Sequence, residues 1–244
     1  LIIYEVVRMG SIGELIGMIV LMSVWLSLVA YTIYSAYRKA KFEKDLNRKR
    51  QFNLIGTAFV IIFFGDLMHT IGFSVKSQQS ETTASILTLF GKTLSIYEAS
   101  LFIDGLAFVI FYAMWEIFLV LRYNNGNYKA YDKIILGLVI ASIVFYLFAP
   151  YYENSVVAYE VLIYSPHVLC FLIFGLMVVG KLIVQSFKNK EATDEIIKLE
   201  ERSLYITAWA LVFSFIFFIL TLALLPINSK FGMMMIPKTA VYMV

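Results

Sequence analysis

The chain has 244 residues, of which 61% are apolar and only 15% charged, with a mean hydropathy of +0.81 and a formal net charge of +3. Soluble globular domains carry roughly a quarter charged residues, so this composition excludes a soluble domain and points to a membrane protein surrounded by lipid. The single cysteine, Cys170, excludes an internal disulfide, and the basic segments lack the aromatic interleaving of a nucleic-acid binder.

A membrane-crossing helix needs about 20 apolar residues. Runs that meet or approach this length stand at 13–37, 53–75, 94–121, 134–152, 157–184 and 203–226, and a seventh begins at Phe231. The expectation is an all-α fold, a polytopic seven-helix bundle forming a single transmembrane domain over 1–244. The fourth run is short at its strict edges and borrows Tyr151 and Tyr152 as interfacial residues. The seventh has 14 residues up to Val244, too few to span, and is expected to continue.

The connections alternate in charge. The first carries Arg38, Lys39, Lys41, Lys44, Arg48, Lys49 and Arg50, the third Arg122, Lys129 and Lys133, and the fifth Lys181, Lys188, Lys190, Lys198 and Arg202. The intervening ones hold only Lys76 and Lys92, no base across 151–156, and Lys230. Basic connections face the cytoplasm, which predicts an outward N-terminus and a seventh helix running inward. The charged segment KNKEATDEIIKLEER, residues 188–202, reads as a solvated extension of the fifth or sixth helix. It is also a candidate docking surface for a cytoplasmic signalling partner.

Ionisable residues inside the runs fall at one depth. At 1.5 Å of rise per residue, His69 and Asp66 lie about 10–15 Å below Lys76, and His167 about 10 Å from Glu160. Glu98 and Asp104 lie about 9 and 18 Å past Lys92, and Lys238 about 12 Å past Lys230. Buried charges in lipid turn inward and find partners, so this slab predicts a polar site in the outer half of the bundle. Asp66 and His69 are three residues apart and share one helix face. Gly65 and Gly105 beside the acids permit close helix approach. Glu116 stands apart, near the cytoplasmic end of the third run.

Each of these residues also has a purely structural reading. Asp66 and His69 suit a hydrogen-bonded pair, and His167 a satisfied core histidine beside Pro166. Lys238 is able to snorkel to the outer surface along its four-carbon stem, and Trp25, Trp115 and Trp209 suit packing or the interface.

Lys238 carries the most specific chemistry. A lysine in an apolar pocket has a lowered pKa, and its free amine condenses with an aldehyde to give an imine. The protonated imine then needs a carboxylate at the same depth, supplied by Asp104 or Glu98, with His69 tuning that carboxylate. In plan the chain resembles the microbial rhodopsins: seven helices, an outward N-terminus, short loops, a lysine in the last helix and an acid in the third. The resemblance implies retinal on Lys238, with ion or proton translocation or photosensing as output. It further implies Asp104 as counter-ion, Trp209 in the chromophore wall, and Asp66, Glu116 and His167 as ion or proton relay groups, Glu116 being a cytoplasmic proton donor. The chain departs from the family at Met234, where an aspartate four residues before the lysine is usual, and at Gly105, Leu106 and Ala107 after the third-helix acid.

Two further readings use the same layer. A sensory, receptor or transport module would bind a small ligand or ion there, with Lys238 and His167 meeting an anion and Asp66 and Asp104 a cation. A zinc-dependent lipid hydrolase would use Asp66, His69, Asp104 and His167 as metal ligands, with a metal-activated water attacking an amide or ester. No Ser-His-Asp arrangement and no Gly-rich phosphate loop stands out.

Overall fold

In the computed structural model the described residues are 12–78, 85–89, 92–152, 166–189 and 194–224. Among them are six helices and one β-hairpin: α1 Ile12–Phe42, α2 Leu46–Gln78, β1 Ser85–Leu89, β2 Lys92–Ser95, α3 Ile96–Asn124, α4 Ala130–Tyr152, α5 Pro166–Asn189 and α6 Glu195–Leu224. The run at Phe231–Val244, with Lys238, lies outside the described residues, as does 157–165 of the fifth run.

Local chemistry sets the helix ends. Asp45 caps α2 by accepting the Arg48 N–H at 2.7 Å, and Asp194 caps α6 by accepting those of Ile196 and Ile197 at 2.8 and 3.2 Å. Asn125 and Gly126 take the left-handed conformation, φ 50° and 82°, which stops α3. Pro166 opens α5, where its missing N–H leaves no intrahelical bond unmade. The third helix begins at Ile96 rather than 94, because Lys92–Ser95 pairs antiparallel with Ser85–Leu89. The alternating Thr and Leu residues of this hairpin suit strands and form no long apolar run.

Packing is centred on α3, which lies against α2, α4 and α5; α1 covers α2, and α5 also packs on α6. The core includes Val109, Phe111, Tyr112, Trp115 and Leu119 of α3, Phe174 and Val178 of α5, and Leu211 and Phe215 of α6. Tyr112 meets the rings of Phe171 and Phe215 at 5.6 and 5.2 Å. Lipid removes most of the hydrophobic drive between helices, so close van der Waals contact must hold them together. Gly65 serves this between α2 and α3: a Cβ there would stand 2.6 Å from the Cβ of Ala107.

The exterior is as informative as the core. Ile206, Trp209, Phe213, Ile216 and Leu220, spaced by three and four, form one exposed apolar stripe along α6, while Ala208, Leu211, Ser214 and Phe215 are buried. Apolar side chains outside and charged ones within suit lipid as the surrounding solvent. Among the described residues five helical stretches are long and apolar enough to cross a membrane: Leu46–Ile71, Phe102–Asn124, Ala130–Phe148, Pro166–Asn189 and Glu195–Leu220. The protein is therefore a multi-pass integral membrane protein. Over the most apolar 18 residues of each span, half are buried in α3 and α5, against 22% in the other three, which makes α3 and α5 the interior helices.

Candidate functional site

Polar side chains meet α3 at three levels. At the hairpin end, His69 Nδ1 of α2 lies 3.0 Å from Asp104 Oδ2 of α3. One turn earlier on α2, Asp66 accepts a 2.7 Å hydrogen bond from Trp25 Nε1 of α1. Asp66 and His69 thus share a face, as their spacing requires, yet bond to different neighbours. The second oxygen of Asp104, Oδ1, is buried and accepts no hydrogen bond from the described residues. Gly65 lets α2 approach it, since a Cβ there would stand 3.3 Å from Oδ1.

His167 belongs to a separate neighbourhood. Its ring is buried and meets that of Tyr146 edge-on at 4.5 Å, and its carbonyl accepts a 3.2 Å bond from Ser142 Oγ. Tyr146 in turn lies on Gly105, where a Cβ would come within 2.1 Å of the tyrosine hydroxyl. Tyr146 therefore sits against α3 at the turn that carries Asp104 and against His167. Among the described residues no three His, Cys, Asp or Glu side chains come close enough to hold one metal ion, so the structure does not gather Asp66, His69, Asp104 and His167 into a metal site. Trp209 is 42% exposed on the lipid face of α6, against Tyr205. Glu98 lies in the first turn of α3, and its side chain is outside the described residues, as is Lys238.

The second level lies twelve residues further along α3, about 18 Å away. Lys181 Nζ of α5 donates to Glu116 Oε1 of α3 at 2.6 Å and to Asp132 Oδ1 of α4 at 2.7 Å. The three side chains are 7%, 0% and 3% exposed, respectively. Asp132 also accepts from the Lys129 N–H at 2.8 Å and the Asn124 side chain at 3.3 Å. An isolated ion here would be expensive; bracketing one ammonium between two carboxylates offsets that cost. The field of the pair reaches the α3–α4 connection, where burial and the negative charges of Glu116 and Asp132 push the Tyr128 phenol up.

Sequence reasoning found Glu116 and missed both partners. Lys181 was expected among the bases of the fifth connection; it lies inside α5, seven residues before Lys188 and so about 10 Å from that flanking charge. That count was the available signal. Asp132 sits in the first turn of α4, and nothing in its sequence context separates it from an ordinary helix-starting acid.

The third level closes the basic end. Arg122 donates through Nε to Glu201 Oε1 at 2.9 Å, through Nη2 to Glu200 Oε2 at 3.0 Å and through Nη1 to Gln51 Oε1 at 3.3 Å. Tyr123 Oη donates to Glu201 Oε2 at 2.6 Å, and Arg48 pairs with the other oxygen of Glu200. The 195–202 part of the charged segment is an extension of α6, as expected, but it is not wholly solvated: Glu201 is only 2% exposed, held by Arg122 and Tyr123. The network ties α2, α3 and α6.

No family model, no curated protein and no solved structure matches the chain.

Proposed function

We propose that the protein is a multi-pass sensory or translocating module that holds a buried positive charge against Asp104, and that this charge is the protonated imine of retinal on Lys238. One observation carries the reading: Asp104 has one oxygen committed to His69 and the other buried without a partner among the described residues. A carboxylate so placed in lipid favours a cation beside it. Lys238 supports the assignment from the sequence, since it falls about 12 Å past Lys230, in the same slab as Asp104. The alternation of basic connections supports an outward N-terminus and a seven-helix plan.

A second reading keeps the same counter-ion and replaces the imine by a small bound cation or cationic ligand. It is favoured by Asp66, a second carboxylate one turn from His69 on α2.

The test is a visible absorption spectrum of the detergent-purified protein after addition of all-trans retinal, beside Lys238→Ala and Asp104→Asn. The expected result is a red-shifted band absent from Lys238→Ala and displaced further to the red in Asp104→Asn, where the imine charge spreads along the polyene. Absence of any band beyond free retinal in all three samples removes the imine. Thermal stabilisation by a small organic cation, lost in Asp104→Asn, would then support the second reading.

A further inference from the structure

The corner where α1 turns into α2 concentrates charge that no acid among the described residues balances. Residues 38–50 carry Arg38, Lys39, Lys41, Lys44, Arg48, Lys49 and Arg50 against Glu43 and Asp45. Both acids are used within the turn. Glu43 accepts the N–H groups of Lys44 and Asp45 at 2.9 and 3.1 Å and pairs with Arg48 at 3.3 Å; Asp45 caps α2. Arg48 is further held by Glu200. The other six bases are exposed, and none pairs with an acid among the described residues.

Their arrangement follows the helix period. On α1, Arg38, Lys41 and Phe42 stand at i, i+3 and i+4, and on α2, Leu46, Lys49 and Arg50 repeat the spacing. Each stripe places two bases beside one large apolar residue, with that residue next to the turn. Phe42 is 72% exposed and Leu46 61%, whereas Ala36, Ala40 and Gln51 are buried. The α5–α6 connection at the same end, reached through the Arg48–Glu200 contact, has a much smaller excess: Glu200 and Glu201 are taken by Arg48 and Arg122, and Lys188, Lys190, Lys198 and Arg202 stand against Glu191, Asp194 and Glu195. The α3–α4 connection adds only Lys129 and Lys133 against Asp132, so positive charge at the basic end is densest at the α1–α2 corner.

From this we infer that the α1–α2 corner is a binding site for anionic phospholipid. Phosphodiester oxygens of the headgroup meet the ammonium and guanidinium groups of the two stripes, while Phe42 and Leu46 enter the boundary between headgroups and acyl chains. A zwitterionic headgroup carries its own cation and gains less from the same contacts, so the corner selects net negative charge.

The test offers the full-length, detergent-purified protein an equal mixture of dioleoyl phosphatidylglycerol and dioleoyl phosphatidylcholine and reads retained lipid by native mass spectrometry. Each base is worth about a fivefold change in affinity. The wild type should retain the anionic lipid preferentially, and combined Lys41→Gln, Lys44→Gln and Lys49→Gln should cut that preference at least about tenfold. Lys44→Gln alone should give a smaller fall, and Lys188→Gln, in the nearly balanced α5–α6 connection, should change the preference less than Lys44→Gln does. Equal retention of the two lipids, or a triple variant that selects like the wild type, overturns the assignment. Displacement of bound phosphatidylglycerol by millimolar inorganic phosphate would mark a site for free phosphate and would overturn it too.

Discussion

Lys181 joins three helices through one ammonium group, with Glu116 on one side and Asp132 on the other. Replacing it by methionine leaves two carboxylates facing each other in a buried site. Loss of one side of a buried ion cluster costs about 3–5 kcal/mol, so Lys181→Met should lower the thermal unfolding midpoint in detergent by many degrees. Adding Glu116→Gln and Asp132→Asn to that variant should restore most of the loss, since the amides keep their hydrogen-bonding shape without the charges. A triple variant no more stable than Lys181→Met would show that the cluster acts through something other than charge pairing. The acid of this cluster was legible in the sequence because a carboxylate inside an apolar run is conspicuous. Its lysine was not, because eight residues from a helix end a long side chain is usually solvated, and only the facing carboxylates on α3 and α4 turn it inward. Asp104 and His69 could be placed at one depth by counting rise per residue; that they would meet, while His167 would lie beyond Tyr146, depended on the helix order around α3.

At the scale of the element, α2 and α3 approach through Gly65. Gly65→Ala would force its Cβ against that of Ala107, now 2.6 Å from the position it would take, and overpacking of this kind costs about 1–3 kcal/mol. The combination of Gly65→Ala with Ala107→Gly should recover that loss in the same unfolding assay; failure to recover would place the strain elsewhere. At the opposite end, Arg122 holds the first turns of α6 through Glu200 and Glu201. Arg122→Gln should raise amide hydrogen exchange across 195–203 while leaving 208–215 protected, and unchanged exchange in the first segment would mean that Tyr123 and Arg48 suffice. Helix existence in these regions was readable from apolar runs, and the ends were not. The α6 start moved eight residues upstream of 203 because Asp194 caps it and Arg122 shelters its acids, neither of which changes the local hydropathy. The hairpin before α3 escaped notice for the opposite reason: its strands are too short to stand out beside runs of more than twenty apolar residues.

At the scale of the whole molecule the outer surface of α6 should meet acyl chains. Trp209 lies in the exposed stripe, whereas Trp25 and Trp115 are 6% and 5% exposed. In single-tryptophan variants reconstituted with brominated lipid, fluorescence from Trp209 should be strongly quenched and that from Trp25 or Trp115 nearly unaffected. Similar quenching of all three would mean that the helices do not pack with these faces inward. The same inside-out distribution was already present in the composition, since a chain this apolar has no other way to keep its exterior compatible with its solvent. What composition cannot supply is which helix takes the middle. Here it is α3, fastened to α2 near one end, to α4 and α5 further along, and to α2 and α6 at the other end. A screw motion of α3 by a single residue turns it by about 100° and would break all of these fastenings together. The helix is in effect an axle that cannot spin, so any change of shape that crosses this membrane protein has to travel as tilting of the surrounding helices about it.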